Sequence, residues 1–204
     1  MNYQTISLQT VTGWAVRVLR LDISVFDEVR QERTATMWAL CIVVFASLTA
    51  GFGSWLWWVL RDLGLGYDGQ VFIRSFILGG LLQSLAWTLW VYIVYQVLAR
   101  GYGIVLDFGA LIRTMGLAFT PMVITILMLI TGLAIPIALI ALAGTLIMTN
   151  HAIEAASGTT GSHVIGANLA GFAVFALVMG VLANVSQVHG WGGLAPGIFF
   201  FTLA

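Results

Sequence analysis

Three residues late in the chain have the types and spacing that chemistry uses. His151 and Glu154 stand three apart, which puts both on one face of a helix, and His163 follows in the next polar stretch. Imidazole nitrogen and carboxylate oxygen are ligands for zinc and related ions, so the three can compose a metal site. Histidine also ligates haem iron and the magnesium of pigments. His163 heads a run of small residues, Gly166, Ala167, Ala170 and Gly171, that a flat macrocycle can approach. Plainer readings compete with both. The intervening Ala-Ala-Ser-Gly-Thr-Thr-Gly is flexible in composition, and a helix-end Glu bonded to His151 or to water accounts for the pair. Small residues also let helices meet closely in lipid. The expectation is no metal and no cofactor, with His151, Glu154 and His163 the residues that would hold one. Enzymatic activity is not expected, since no Ser/His, Cys/His or Asp/Asp arrangement falls within the apolar stretches.

The elements that must position these residues follow from composition. From Thr114 to the C-terminus there is one formally charged side chain, Glu154, and all eight basic residues are arginines at or before Arg113. A soluble domain needs charge dispersed over its whole surface. With 60% apolar and 8% charged residues, the chain belongs in a bilayer. Net charge is zero, so no basic surface exists for nucleic acid. The absence of lysine beside eight arginines leans toward a GC-rich bacterial genome. The start, MNYQTISLQTVTGW, lacks the basic and apolar regions of a cleavable signal peptide. Cys41, the one cysteine, sits in an apolar run and is expected to be a small buried hydrophobe.

Charges cut the chain into intervals that can be measured against the roughly 20 residues of a membrane-crossing helix. Arg33 to Arg61 encloses 27 uncharged residues and Arg74 to Arg100 encloses 25, one crossing each. Arg113 to Glu154 encloses 40 and must fold back, with a break at Thr131-Gly-Leu-Ala-Ile-Pro136. The predicted fold is all-α: a polytopic membrane protein, one domain over 1–204, with five transmembrane helices near 36–60, 75–98, 114–130, 136–153 and 164–185. An interfacial amphipathic helix is predicted over 14–33, where Val18, Leu21, Val25 and Val29 share a face. Residues 191–204 read as an apolar tail, too short to cross, at the interface or against a partner. Trp55, Trp57 and Trp58 fall where the first span should exit, at headgroup depth. Arg17, Arg20, Arg30, Arg33, Arg100 and Arg113 lie on one side and Arg61 and Arg74 on the other, so the N-terminus is predicted cytoplasmic and the C-terminus opposite.

A transporter should carry ionisable groups in mid-membrane. The predicted spans carry neutral ones instead, Gln83, Ser84, Thr125, Thr145 and Asn168 among them, which read as interhelical hydrogen bonds. Pro121 reads as a kink or, less simply, a broken helix. Small residues four apart (Ser47 with Gly51, Gly80 with Ser84, Ala167 with Gly171, Ala176 with Gly180) predict close helix contacts.

The order of parts also carries a resemblance. Arg17-Val-Leu-Arg-Leu-Asp-Ile-Ser-Val-Phe-Asp-Glu-Val leads into Thr34-Ala-Thr-Met-Trp-Ala-Leu and the first span. Leu111-Ile-Arg-Thr-Met-Gly-Leu-Ala-Phe-Thr-Pro121 and Ser157-Gly-Thr-Thr-Gly-Ser-His-Val-Ile-Gly166 follow. Over about residues 15 to 185 this resembles bacterial members of the Yip family, five-span proteins named for eukaryotic relatives that bind Rab GTPases. The pattern rests on Gly116, Phe119, Pro121, Gly161 and Gly166. The resemblance implies a non-enzymatic membrane protein acting through lateral contacts with lipids or proteins. The relatives' Asp-Leu-Tyr-Gly-Pro motif is replaced here by Glu32-Arg-Thr-Ala-Thr-Met, so a Rab-type GTPase is not expected as partner. An alternative stays open: an accessory subunit of a larger membrane assembly, photosynthetic or respiratory, that seats lipids or pigments. A transporter is the third reading.

Overall fold

A computed structural model describes residues 6–61 and 69–201. The protein is an all-α polytopic membrane protein whose transmembrane helices are Ala35–Arg61, Gly69–Gly101, Phe108–Leu129, Thr131–Ser157 and Ser162–Val185, the first to fifth spans below. Two shorter helices precede them, α1 (Leu8–Leu19) and α2 (Val25–Gln31). The final residues of the predicted tail, 202–204, lie outside the described residues.

The third span is the axis of the bundle, with 72% of its most apolar window buried, against 28% and 33% for the fourth and fifth. Its course is broken. An α-helix from Phe108 to Leu117 is capped by Asp107, whose carboxylate accepts from the amides of Gly109 and Ala110 at 2.9 and 3.1 Å. The chain then tightens into a 3-10 helix over Thr120–Leu129. Pro121 supplies the reason, because it has no N–H to bond the carbonyl of Leu117. The Thr120 hydroxyl donates to that carbonyl instead, at 2.6 Å. Rising about 2.0 Å per residue, the 3-10 segment covers roughly 20 Å where an α-helix would cover about 15 Å. A short span can thereby cross, and Pro121 breaks the helix rather than kinking it.

Neighbouring helices approach this axis at glycines. A Cβ on Gly116 would lie 2.8 Å from Cβ of Ala39, and one on Gly53 would lie 2.2 Å from the carbonyl oxygen of Thr125, so the first and third spans touch backbone to backbone. The second span closes on the first at Gly51 against Ser75 and at Gly80 against Leu48. Gly171 of the fifth span receives Trp90. Gly180 meets nothing within 4 Å, so of the four predicted small-residue pairs the Ala176–Gly180 pair makes no such contact.

Several expectations need correction. Residues 14–33 are not one helix: the chain turns at Leu21, whose φ of 62° is left-handed, and Asp22 accepts from the amide and hydroxyl of Ser24. One face of α1, Val11, Trp14 and Val18, is buried against the bundle, where α1 reaches the 3-10 segment of the third span, while Leu8, Val16 and Leu19 stay exposed. Cys41 is exposed, because the buried stripe of its helix runs through Ala39, Val43, Ala46 and Ala50. Ser84, Thr125 and Thr145 bond back to carbonyls of their own helices, at Gly80, Met122 and Ala141. Asn168 does bridge helices, accepting from the Trp90 indole at 3.2 Å and donating to the Leu146 carbonyl at 3.1 Å. Gln83 is buried, and its side-chain oxygen has no hydrogen-bond partner among the described residues.

The tail folds onto its own chain rather than standing apart. His189 and Gly190, both at positive φ, form a two-residue hairpin turn between Val188 and Trp191. The Gly197 amide then donates to the Ser54 hydroxyl at 3.0 Å inside the bundle. Trp57 is consequently covered by Trp191, Phe200 and Phe201, and the Arg61 guanidinium lies over Trp57 and Trp191 at 5.1 and 4.7 Å. Trp57 and Trp58 are buried under this cap, not displayed to a headgroup layer.

Candidate functional site

Polar chemistry gathers at the end of the bundle that carries α2. There two arginines satisfy carbonyls that helix ends leave unpaired. Arg113, 5% exposed, donates to the carbonyl of Arg30 through Nε at 3.2 Å and Nη2 at 2.7 Å, and to Thr36 and Asp107 at 3.4 and 3.3 Å. Arg30 in turn donates through Nη1 to the carbonyl of Ala155, in the last turn of the fourth span, at 2.6 Å. The relay ties α2 to the third and fourth spans. Asp107 is held below the usual carboxylate range, first by the Gly109 amide and then by the Ala110 amide and Arg113.

Beside α2, a second cluster joins it to α1. Glu28 accepts from the Trp14 indole and from Arg17, both at 2.7 Å, while Arg17 also reaches Asp22 at 2.8 Å. The Trp14 bond, then Arg17, lowers the Glu28 pKa; the Ser24 hydroxyl, then Arg17, lowers that of Asp22. A carboxylate with a depressed folded-state pKa contributes stability that is complete above its unfolded pKa and lost as pH falls through the folded value. The α1–α2 hairpin should therefore be unchanged from neutral pH to about 5 and loosen below about 4, the range of unperturbed carboxylates. The Trp14 indole N–H resonance, identified by its loss in W14F, should move toward that of a free indole over this acidic range and stay there at all pH in E28A, which removes the acceptor. Constancy down to pH 2 would refute the coupling.

His151 and Glu154 do come together: Nδ1 lies 3.1 Å from Oε2, and Asn150 donates to the other carboxylate oxygen at 3.3 Å. They line a cleft of about 490 Å³ with Asp27 and Arg30 of α2 and with Gly158 and Thr160. The connection is shaped by glycines at positive φ, Gly158 ending the fourth span and Gly161 preceding the fifth. His163 is not brought to the pair. It is exposed, with its ring 4.4 Å from that of Tyr102, and no group of three metal-ligating side chains forms among the described residues. The small-residue run after it packs against the second span and the turn that follows. Gly166 faces the Tyr102 hydroxyl and Gly171 faces Trp90, leaving no face for a macrocycle at Gly171.

A different feature lies in the membrane-facing surface. Phe45, Leu48, Thr49 and Phe52 of the first span, Phe76 of the second, and Val123 and Ile126 of the third line an apolar groove of about 510 Å³. The glycine contacts at 51, 53 and 80 draw these helices together beneath it. Of the pattern residues, Gly116, Phe119 and Pro121 are buried, Phe119 near Trp87 and Pro121 toward Gly144, whereas Gly161 and Gly166 are exposed. Sequence reading missed both this groove and the arginine relay. The aromatic pair Phe45 and Phe52, seven apart on the first span, was the available signal.

Comparison of the chain with family models, with curated proteins and with solved structures finds no match.

Proposed function

We propose that this is a non-enzymatic integral membrane protein of Yip type that works through lateral contacts with lipids or other membrane proteins. The observation that carries the reading is the apolar groove across the first three spans, open in the plane of the membrane and lined by Phe45, Phe76 and Ile126. The motif residues Gly116, Phe119 and Pro121 support it, since each is buried where the third span meets its neighbours. On this reading the chain resides in a bacterial cytoplasmic membrane with the α2 end inside, which the six-to-two distribution of arginines supports. A photo-crosslinking amino acid at Phe45, which is exposed, should give a lipid or protein adduct in native membranes. Absence of any adduct at Phe45 and at Ile126 would overturn the proposal.

The accessory-subunit reading draws on a separate observation. The fourth and fifth spans leave most of their surface uncovered by this chain, including Ile140, Ile147, Leu177 and Val181. A probe at Leu177 that captures a single protein, where one at Phe45 captures only lipid, would favour that reading.

A further inference from the structure

The cleft beside α2 and the fourth span gathers charged side chains on a partly apolar wall. They are Asp27, Glu154 and Arg30, with His151 also in the lining. Two carboxylates face one guanidinium there, so the cleft favours a ligand that brings a cation as well as an anion. Glu154 Oε2 and Oε1 each have one partner, His151 and Asn150, and a carboxylate oxygen can accept a second hydrogen bond. Asp27 is more open, 3.7 Å from Arg30 Nε. Arg30 directs Nη1 to the Ala155 carbonyl, and Nη2 has no partner among the described residues.

His151 also lines a second hollow, of about 310 Å³, which runs between the fourth and fifth spans past Leu146, Ile147, Ile165 and Leu169. Glu154 is in the last turn of the fourth span, and Ile147 lies about two turns deeper at 1.5 Å per residue. A charged recess at a helix end and a mainly apolar trough, with Asn150 and Asn168 in its wall, thus adjoin at His151. That is the shape of a phospholipid, headgroup above and acyl chain below.

From this charge pattern and the His151 wall that the two hollows share we infer that the site seats a phospholipid with a primary-amine headgroup, an ethanolamine phospholipid. The ammonium donates to Glu154 and Asp27, the phosphate accepts from Arg30 and Thr160, and one acyl chain lies along Ile147 and Leu169. The inference deepens the lateral-contact reading by naming one lipid, and it uses a different surface from the groove at Phe45.

Native mass spectrometry of the full chain, exchanged among vesicles of phosphatidylethanolamine, phosphatidylcholine and phosphatidylglycerol, provides the test. Hydrogen bonds to charged groups imply about tenfold stronger retention of the ethanolamine lipid. A quaternary ammonium cannot donate, and glycerol has no cation. The preference should vanish in D27N/E154Q, with its melting temperature as the control for folding; if that variant fails to fold, D27N alone, altering an exposed side chain, should reduce the preference. Soluble phosphoethanolamine, which lacks acyl chains, should not compete at matched concentration. Equal retention of the three lipids, an undiminished preference in the folded variant, or competition by phosphoethanolamine would each overturn the site. Crosslinks at Phe45 would be unaffected by any of these outcomes, so the two proposals fail separately.

Discussion

Replacing Arg113 with alanine should destabilise the protein by about 3 kcal/mol, a value set by hydrogen bonds to a buried charged group. Its Cα lies about 8 Å along the third span from Phe108, and the side chain turns back so that the buried guanidinium reaches Asp107 at the helix start. A buried arginine is tolerable only if its donors are occupied, and here the Arg30 carbonyl takes two of them, with Thr36 and Asp107 beside it. Removal leaves the Arg30 carbonyl without its donor and frees α2 from the third span. R113M, which keeps the apolar stem, should recover little. R113K should also fall short, because one ammonium cannot reproduce a planar fork on a single carbonyl. D107N should cost less, since Asp107 is largely exposed and its amide can still cap the helix. Unfolding of the purified protein by sodium dodecyl sulfate in mixed micelles reads these differences. R113A within about 0.5 kcal/mol of the parent, the size of a neutral surface change, would show that the relay does not hold α2 in place.

Why the arginine relay escaped sequence reading is instructive. Dividing the chain at its charges makes every arginine a boundary, so Arg113 became the last residue before a span rather than a member of one. A helix-start signal was nevertheless present: Asp107 followed by Phe-Gly-Ala is an N-cap with the helix beginning at Phe108, and that start carries Arg113 inside. Span number and order were legible because hydrocarbon thickness constrains apolar length so tightly. The tail was not, because its fold depends on contacts far apart in sequence, the Gly197–Ser54 bond and the packing of Trp191, Phe200 and Phe201 on Trp57. Helical periodicity likewise runs on through Leu21, where hydrogen bonds among Arg17, Asp22 and Ser24 hold the turn. As for chemistry, the three-residue spacing of His151 and Glu154 did predict their contact, whereas His163, beyond two glycines of positive φ, turned to Tyr102.

Glycines separate legible pattern from actual contact most sharply, and Gly53→Ala should be among the most damaging single changes in the chain. A Cβ there would sit 2.2 Å from the Thr125 carbonyl oxygen, and no side chain can swing aside because the obstacle is backbone. Relief requires the first and third spans to separate or to pivot about their other crossing at Gly116 and Ala39, about 21 Å away along the first span. Overpacking of this kind costs about 1–3 kcal/mol, and more when the yielding element is a helix axis. Gly51→Ala meets the Ser75 carbonyl at 2.3 Å and should behave similarly, with the Ser75 hydroxyl losing its 3.0 Å bond to the Gly51 carbonyl as the helices part. Gly180→Ala is the counterpart: the same substitution in a transmembrane helix, with nothing within 4 Å. It should be neutral or stabilising by up to about 1 kcal/mol, the helix propensity that alanine gains over glycine. Comparing folded monomer after extraction, and its unfolding midpoint, distinguishes steric contact from a general intolerance of alanine in these helices. If Gly53→Ala and Gly180→Ala gave the same yield and midpoint, the close approach of the first and third spans could not be what holds the bundle, and the groove above them would lose its floor.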